Sequence, residues 1–152
     1  MCVMLAIVVC VFGCVESKAP KKPETRYVLN FYSAAGDPAA TPALIASGVL
    51  RLPTSRVDGE EVSGIWAPTG QMSDELRHKL MEPSENGYPF VAIARKQEIC
   101  FYFNPGVVDA NVEVKIETDG QDQDRGEWFW TTYAGPERMG TTTLTKQEAP
   151  DR

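Results

Sequence analysis

From Thr25 onward apolar and polar residues alternate with period two, and Gly, Pro, Asp and Asn break the alternation at short intervals. That period turns successive side chains to opposite faces, so the pattern predicts antiparallel strands joined by short turns. About eight runs follow one another. "RYVLNFYS" sets Tyr27, Leu29 and Phe31 against Arg26, Val28 and Asn30, and "ALIASGVLRL" follows the break "DPAATP". "RVDGEEVSGIWAP" carries Asp58-Gly59, a pair suited to a tight hairpin because both residues tolerate positive φ, and runs on to Trp66. "YPFVAIA" and "EICFYF" are joined by "RKQ". "NVEVKIET" turns Val112, Val114 and Ile116 to one side and Glu113, Lys115 and Glu117 to the other. "DGQDQDR" leads to "GEWFWTTY", and "AGPERMG" links that run to a last strand, "TTTLTKQ".

One segment departs from the strand pattern. "SDELRHKLME" predicts a short helix: Ser73 is placed to cap it, Asp74 and Glu75 sit in the first turn, and Met72, Leu76 and Leu80 share one side. Pro83 should end it. The expected fold is all-β, an antiparallel up-and-down barrel of about eight strands with one inserted helix. Closure leaves no exposed strand edge, which favours it over the alternative, a two-sheet sandwich. "YPFVAIA", "EICFYF" and "EWFWTTY" are apolar on both faces, unlike a barrel wall that meets water. The helix from Ser73 to Glu82, with Leu76 and Leu80, is the expected cover for that outer wall, and a partner protein is the alternative.

Two stretches echo each other, "VDGEEVSGIW" and "TDGQDQDRGEW", each running from Asp-Gly to Gly-x-Trp. Gly64 and Gly126 are candidate sites of a tight bend or of a ring pressing on the backbone. A small barrel with Gly-x-Trp motifs resembles the calycins, the lipocalin and avidin class of ligand-binding barrels. In lipocalins the motif lies on the first strand, whereas "GIW" here falls on about the third and "GEW" on about the seventh. The resemblance implies a small ligand in the lumen, with Trp66, Trp128, Trp130, Tyr27 and Tyr102 as its candidate lining. An eight-stranded interior is either filled by side chains or holds one small ligand, and aromatics at such positions more often form a core plug than line a ligand, which is the preferred reading of these rings.

Ahead of the strands, "MCVMLAIVVCVFGCV" is apolar throughout but shorter than the roughly 18–20 residues of a spanning helix. Its end, Val11-Phe12-Gly13-Cys14, resembles the bacterial lipobox. That resemblance implies a signal peptide over residues 1–13 and a lipid on Cys14, the lipidated cysteine and a tether occupying residues 14–24. The barrel domain would follow over residues 25–147, with a polar tail at 148–152. The Lys- and Pro-rich "ESKAPKKPET" suits a spacer between a bilayer and a folded body. No basic residue precedes Lys18, unlike an ordinary signal peptide. Export across the inner membrane and anchoring in the bacterial envelope are the expected localisation, with the membrane as first partner.

The net charge of −6 opposes a nucleic-acid partner, which needs a basic field. His78 is the only histidine, so there is no second one for a His-based zinc site, and no serine or cysteine stands at an interpretable spacing from it; no cofactor or catalytic residue is assigned. Asp119, Asp122, Asp124 and Glu127 offer oxygen ligands in one loop. The twelfth position counted from Asp122 is Tyr133, however, which cannot supply the bidentate carboxylate of a calcium loop, and an acidic hairpin is the preferred reading. The expected function is therefore a non-enzymatic envelope lipoprotein binding a small ligand or a protein. The alternative is an exported enzyme using Asp and Glu chemistry. Cys100 is the only cysteine outside the apolar head, so lipid and a Cys14–Cys100 disulfide are rival fates for one thiol.

Overall fold

The computed structural model describes residues 22–36, 39–107 and 109–148. The apolar head, Cys14 and the stretch up to Lys21 lie outside the described residues. Eight strands follow one another in chain order around a closed barrel: β1 (Glu24–Ser33), β2 (Leu44–Pro53), β3 (Glu61–Pro68), β4 (Tyr88–Arg95), β5 (Glu98–Phe103), β6 (Asn111–Glu117), β7 (Gln123–Thr132) and β8 (Gly135–Lys146). A six-residue helix, α1 (Asp74–Lys79), interrupts the series between β3 and β4. The expected all-β up-and-down barrel is what forms. Antiparallel pairing of β1 with β8, from Tyr27↔Lys146 to Ser33↔Gly140, closes the wall and excludes the sandwich.

Strand parity decides what enters the lumen. Leu29 and Phe31 of β1, Leu50 and Leu52 of β2, Trp66 of β3, Phe90 and Ala92 of β4, and Phe101 and Phe103 of β5 are buried in one cluster. Val112, Val114 and Ile116 of β6, Trp128 of β7 and Leu144 of β8 belong to it too. Fully burying one such side chain contributes about 1.5–3 kcal/mol, so the alternation seen in the sequence is the main force holding the barrel.

Two connections differ from expectation. "AGPERMG" is not a link: β7 and β8 form one long hairpin around Tyr133-Ala134, and β8 already begins at Gly135, whose φ of 105° makes the turn. A bulge between Trp128 and Phe129 absorbs the irregular spacing that hid this pairing. Asp58-Gly59 makes no tight hairpin between adjoining strands. Only Gly59 takes positive φ, 81°, within the longer connection from Thr54 to Glu60. Accordingly β2 and β3 pair only through Gly48↔Pro68 and Val49↔Ala67, the sparsest seam of the wall.

The helix begins as expected, with the Ser73 hydroxyl accepting from the Leu76 N–H at 3.2 Å. It stops earlier than expected, because Leu80 turns extended and Asn104 takes over the chain's exposed polar groups. Asn104 Oδ1 accepts from the Met81 N–H at 2.8 Å, while its Nδ2 donates to the Lys79 and Ala110 carbonyls at 2.8 and 2.9 Å. The position of α1 also corrects the sequence expectation. Ser73 N–H bonds to the Ile45 carbonyl at the start of β2, and the Lys79 ammonium lies 4.9 Å from the ring centroid of Trp130 at the end of β7. Met72, Leu76 and Leu80 enter the same buried cluster as the strands. The helix thus stoppers one end of the barrel and leaves the outer wall uncovered. There the shielding comes from cross-strand neighbours: the Lys115 ammonium lies over the Phe129 ring at 5.3 Å, its stem covering apolar surface.

Candidate functional site

The lumen is the place the calycin resemblance points to, and it is filled. Phe31 meets the rings of Trp66, Trp128 and Phe103 edge-on, at centroid separations of 5.3, 5.8 and 6.0 Å. Phe90 meets Phe101 in the same way at 5.4 Å. Such edge-to-face contacts satisfy the ring quadrupoles and pack the middle of the lumen with side chains.

The sequence echo has a physical counterpart here. Trp66 reaches from β3 across β2 and donates its indole N–H to the Leu29 carbonyl of β1 at 3.4 Å. Trp128 reaches from β7 across β8 and donates to the Tyr32 carbonyl of β1 at 2.9 Å. Each indole passes over a glycine. A Cβ on Gly48 would stand 2.4 Å from Trp66, and one on Gly140 would stand 2.7 Å from the Trp128 nitrogen and 1.9 Å from the Tyr32 oxygen. The Gly-x-Trp glycines serve the same end: Gly64 accepts the Phe90 ring and Gly126 the close backbone of β6. The two halves of the wall therefore anchor on β1 from either side of Phe31, an arrangement of plug and buttress.

Of the candidate lining residues, Trp66 and Trp128 are thus core. Tyr27 is the innermost ring at the end where β1 begins, and is buried. Trp130 shares the inward register but sits half-buried at the opposite end beneath Lys79. Tyr102 points away from the lumen, on the outer wall beside Cys100; the doubly apolar run "EICFYF" concealed its parity, and β5 turns Phe101 and Phe103 inward instead. Cys100 is also on the outer face, yet buried, its thiol donating to Glu98 at 3.1 Å. Burial first, then Glu98, push the Cys100 thiol up to about 11; burial, then Cys100, push the Tyr102 phenol up to about 12. His78 is exposed, with its ring Nδ1 2.6 Å from the Asp74 carbonyl oxygen.

The end opposite the helix is different. Strand β1 enters there, Lys22 bonds to Glu60 of the β2–β3 connection, and with the Val57 N–H it holds that carboxyl below its usual range. Around this mouth lie shallow hollows. One, of about 340 Å³, is lined by Tyr27, Arg56, Lys96, Thr118, Gly120, Gln121, Asp122, Asp124 and Lys146. Its floor is Tyr27, with the Arg56 guanidinium 5.9 Å from the ring centroid. Arg56 is half-buried, and its Nη1 is buried without a hydrogen-bond partner among the described residues. Burial holds the Asp124 carboxyl above its usual range, opposed by the Asp119 N–H and by the charge of Arg56. The acidic loop therefore folds into the rim of this mouth. Among the described residues no three His, Cys, Asp or Glu side chains converge to hold a metal. Sequence reasoning missed Arg56, Lys96 and Lys146, because three loops and a strand end bring them together across most of the chain.

Fold and interior define a closed eight-stranded antiparallel barrel, compatible in form with the calycins but plugged along its axis. No family model, no curated protein and no solved structure matches the chain.

Proposed function

We propose that the chain is a lipid-anchored, non-enzymatic protein of the bacterial envelope, tethered through Cys14 and binding its ligand or partner at the barrel's mouth. The observation that supports this best is the contrast between the two candidate places. The lumen is occupied by Phe31, Trp66 and Trp128, whereas the concave polar surface is gathered where β1 enters from the tether. A spacer from Val15 to Pro23 reaches at most about 30 Å when extended, so the mouth would work close to the bilayer surface. Two acyl chains on one cysteine suffice for stable anchoring, at about 0.8 kcal/mol per buried methylene.

The test is Cys14→Ser in the full chain expressed in a bacterial host. Labelled palmitate should no longer be incorporated, and the protein should leave the membrane fraction. Continued labelling, or unchanged membrane association, overturns the reading.

A further inference from the structure

The 340 Å³ hollow at the mouth combines features that no structural role in the barrel accounts for. Three cationic side chains, Arg56, Lys96 and Lys146, line it, and none of the ion pairs among the described residues involves them. This occurs in a protein whose net charge is −6, where spare carboxylates are plentiful. Each of the six ion pairs described uses a different lysine or arginine. A buried guanidinium nitrogen without a partner is costly, since it has lost water and gained no acceptor. Arg56 is in that state through its Nη1, and its ring contact with Tyr27 fixes the guanidinium plane without supplying an acceptor.

Two carboxylates, Asp122 and Asp124, line the same hollow. No hydrogen bond between either carboxylate and Arg56 is present among the described residues: Asp124 Oδ1 accepts from the Asp119 N–H at 3.3 Å, and the charge of Arg56 acts on the Asp124 carboxyl only through space. Their presence sets a limit on the guest. It must be compact enough to reach the three cations without lying against the two acids, and it must carry more than one acceptor direction. A carboxylate is satisfied by a single guanidinium fork, whereas a tetrahedral dianion can take acceptor positions toward several cations at once.

We propose that this hollow is a binding site for a phosphate group, held by the Arg56 guanidinium against the Tyr27 ring with Lys96 and Lys146 completing its charge. The site rests on the reading that the mouth, rather than the lumen, is the binding face. The phosphate belongs to one of two sources, a soluble phosphomonoester or the head group of a lipid beneath the tether.

Inorganic phosphate is titrated into the purified full-length protein, with binding followed by calorimetry at low ionic strength. Saturable one-site binding is expected. Arg56→Gln should weaken it by at least about tenfold, the equivalent of one charge-assisted hydrogen bond. Lys96→Gln, at an exposed turn, should weaken it by about threefold while leaving thermal unfolding unchanged, so the site stays testable even where the Arg56 variant folds poorly. Raising the salt concentration should weaken binding in parallel. No phosphate binding, or equal affinity in the parent and both variants, overturns the site. Flotation of the full-length Cys14→Ser protein, which takes up no lipid of its own, with vesicles of phosphatidylcholine, with and without phosphatidic acid, separates the sources. Retention that requires phosphatidic acid and is lost in Lys96→Gln assigns the lipid; phosphate binding without such retention assigns the soluble ester. Loss of phosphate binding while Cys14 still takes up palmitate removes this site and leaves the tether standing.

Discussion

Gly140→Ala is the sharpest probe of how the barrel is closed. Gly140 pairs with Ser33 at the last rung of the β1–β8 ladder, and the Trp128 indole crosses its α-carbon to reach the Tyr32 carbonyl. An added Cβ would lie 1.9 Å from that oxygen and 2.7 Å from the indole nitrogen. Neither neighbour is the loose end of a flexible chain: one is backbone and the other is a ring wedged against Phe31. The strands must therefore part, or the indole must swing off its acceptor. Overpacking of this kind costs about 1–3 kcal/mol, and stranding a buried indole N–H costs about 1–3 kcal/mol more. The expected loss is roughly 2–6 kcal/mol, a large share of the 5–15 kcal/mol typical of a folded domain, and on the order of 15 °C in Tm. Urea unfolding followed by tryptophan fluorescence and far-UV circular dichroism measures it. Gly120→Ala is the control: its φ is +82° but nothing lies within 4 Å of the new Cβ, so only backbone strain of about 1–2 kcal/mol is expected. A Gly140→Ala loss no greater than that of Gly120→Ala would refute the argument that the glycine exists to let Trp128 through.

Three further outcomes follow from single side chains. Asn104→Ala removes the acceptor of the Met81 N–H and the donor to two carbonyls, and places alanine at a φ of 60°; a loss of about 2–4 kcal/mol by thermal or urea unfolding is expected. Thr142→Val should be neutral or stabilising by up to about 1 kcal/mol, because the Thr142 hydroxyl is buried in the lumen with no partner among the described residues; a loss above that size would reveal a bond the packing does not provide. Cys100 should resist Ellman's reagent in the folded protein at pH 8 and react after unfolding. Its folded pKa of about 11 exceeds that of an unfolded thiol. Its contribution to stability is therefore complete below the unfolded value and falls away as pH rises toward 11, which Cys100→Ser should flatten in a pH series of urea midpoints.

The barrel was legible because period-two alternation survives wherever one face is buried. Val112, Val114 and Ile116 against Glu113, Lys115 and Glu117 show it plainly, and β6 forms as read. Legibility failed where parity carries no polar contrast. In "EICFYF" both faces are apolar, so nothing in the residue order said that Tyr102 would point outward. It failed again at Gly135 and Pro136, breakers that the long β7–β8 hairpin tolerates through a turn and a bulge. The helix start was readable from Ser73, but its end was set by Asn104, a residue beyond two intervening strands. The mouth was out of reach for the same reason: Arg56 and Lys96 belong to two different connections and Lys146 to the end of β8, and only closure makes them neighbours.

Closure has a consequence for how the chain is made. Among the described elements β1 is the first to be synthesised and β8 the last, yet β1 is paired to β8 and receives the indoles of Trp66 and Trp128. Each hairpin between neighbours can form locally, but the final ladder joins residues separated by nearly the whole described chain, a contact with a high closure entropy and a slow rate. The nascent polypeptide therefore has no finished native state until Lys146 has been added. Until then β1 keeps an unpaired edge, the kind of edge at which another extended chain can add itself, and only the arrival of β8 covers it.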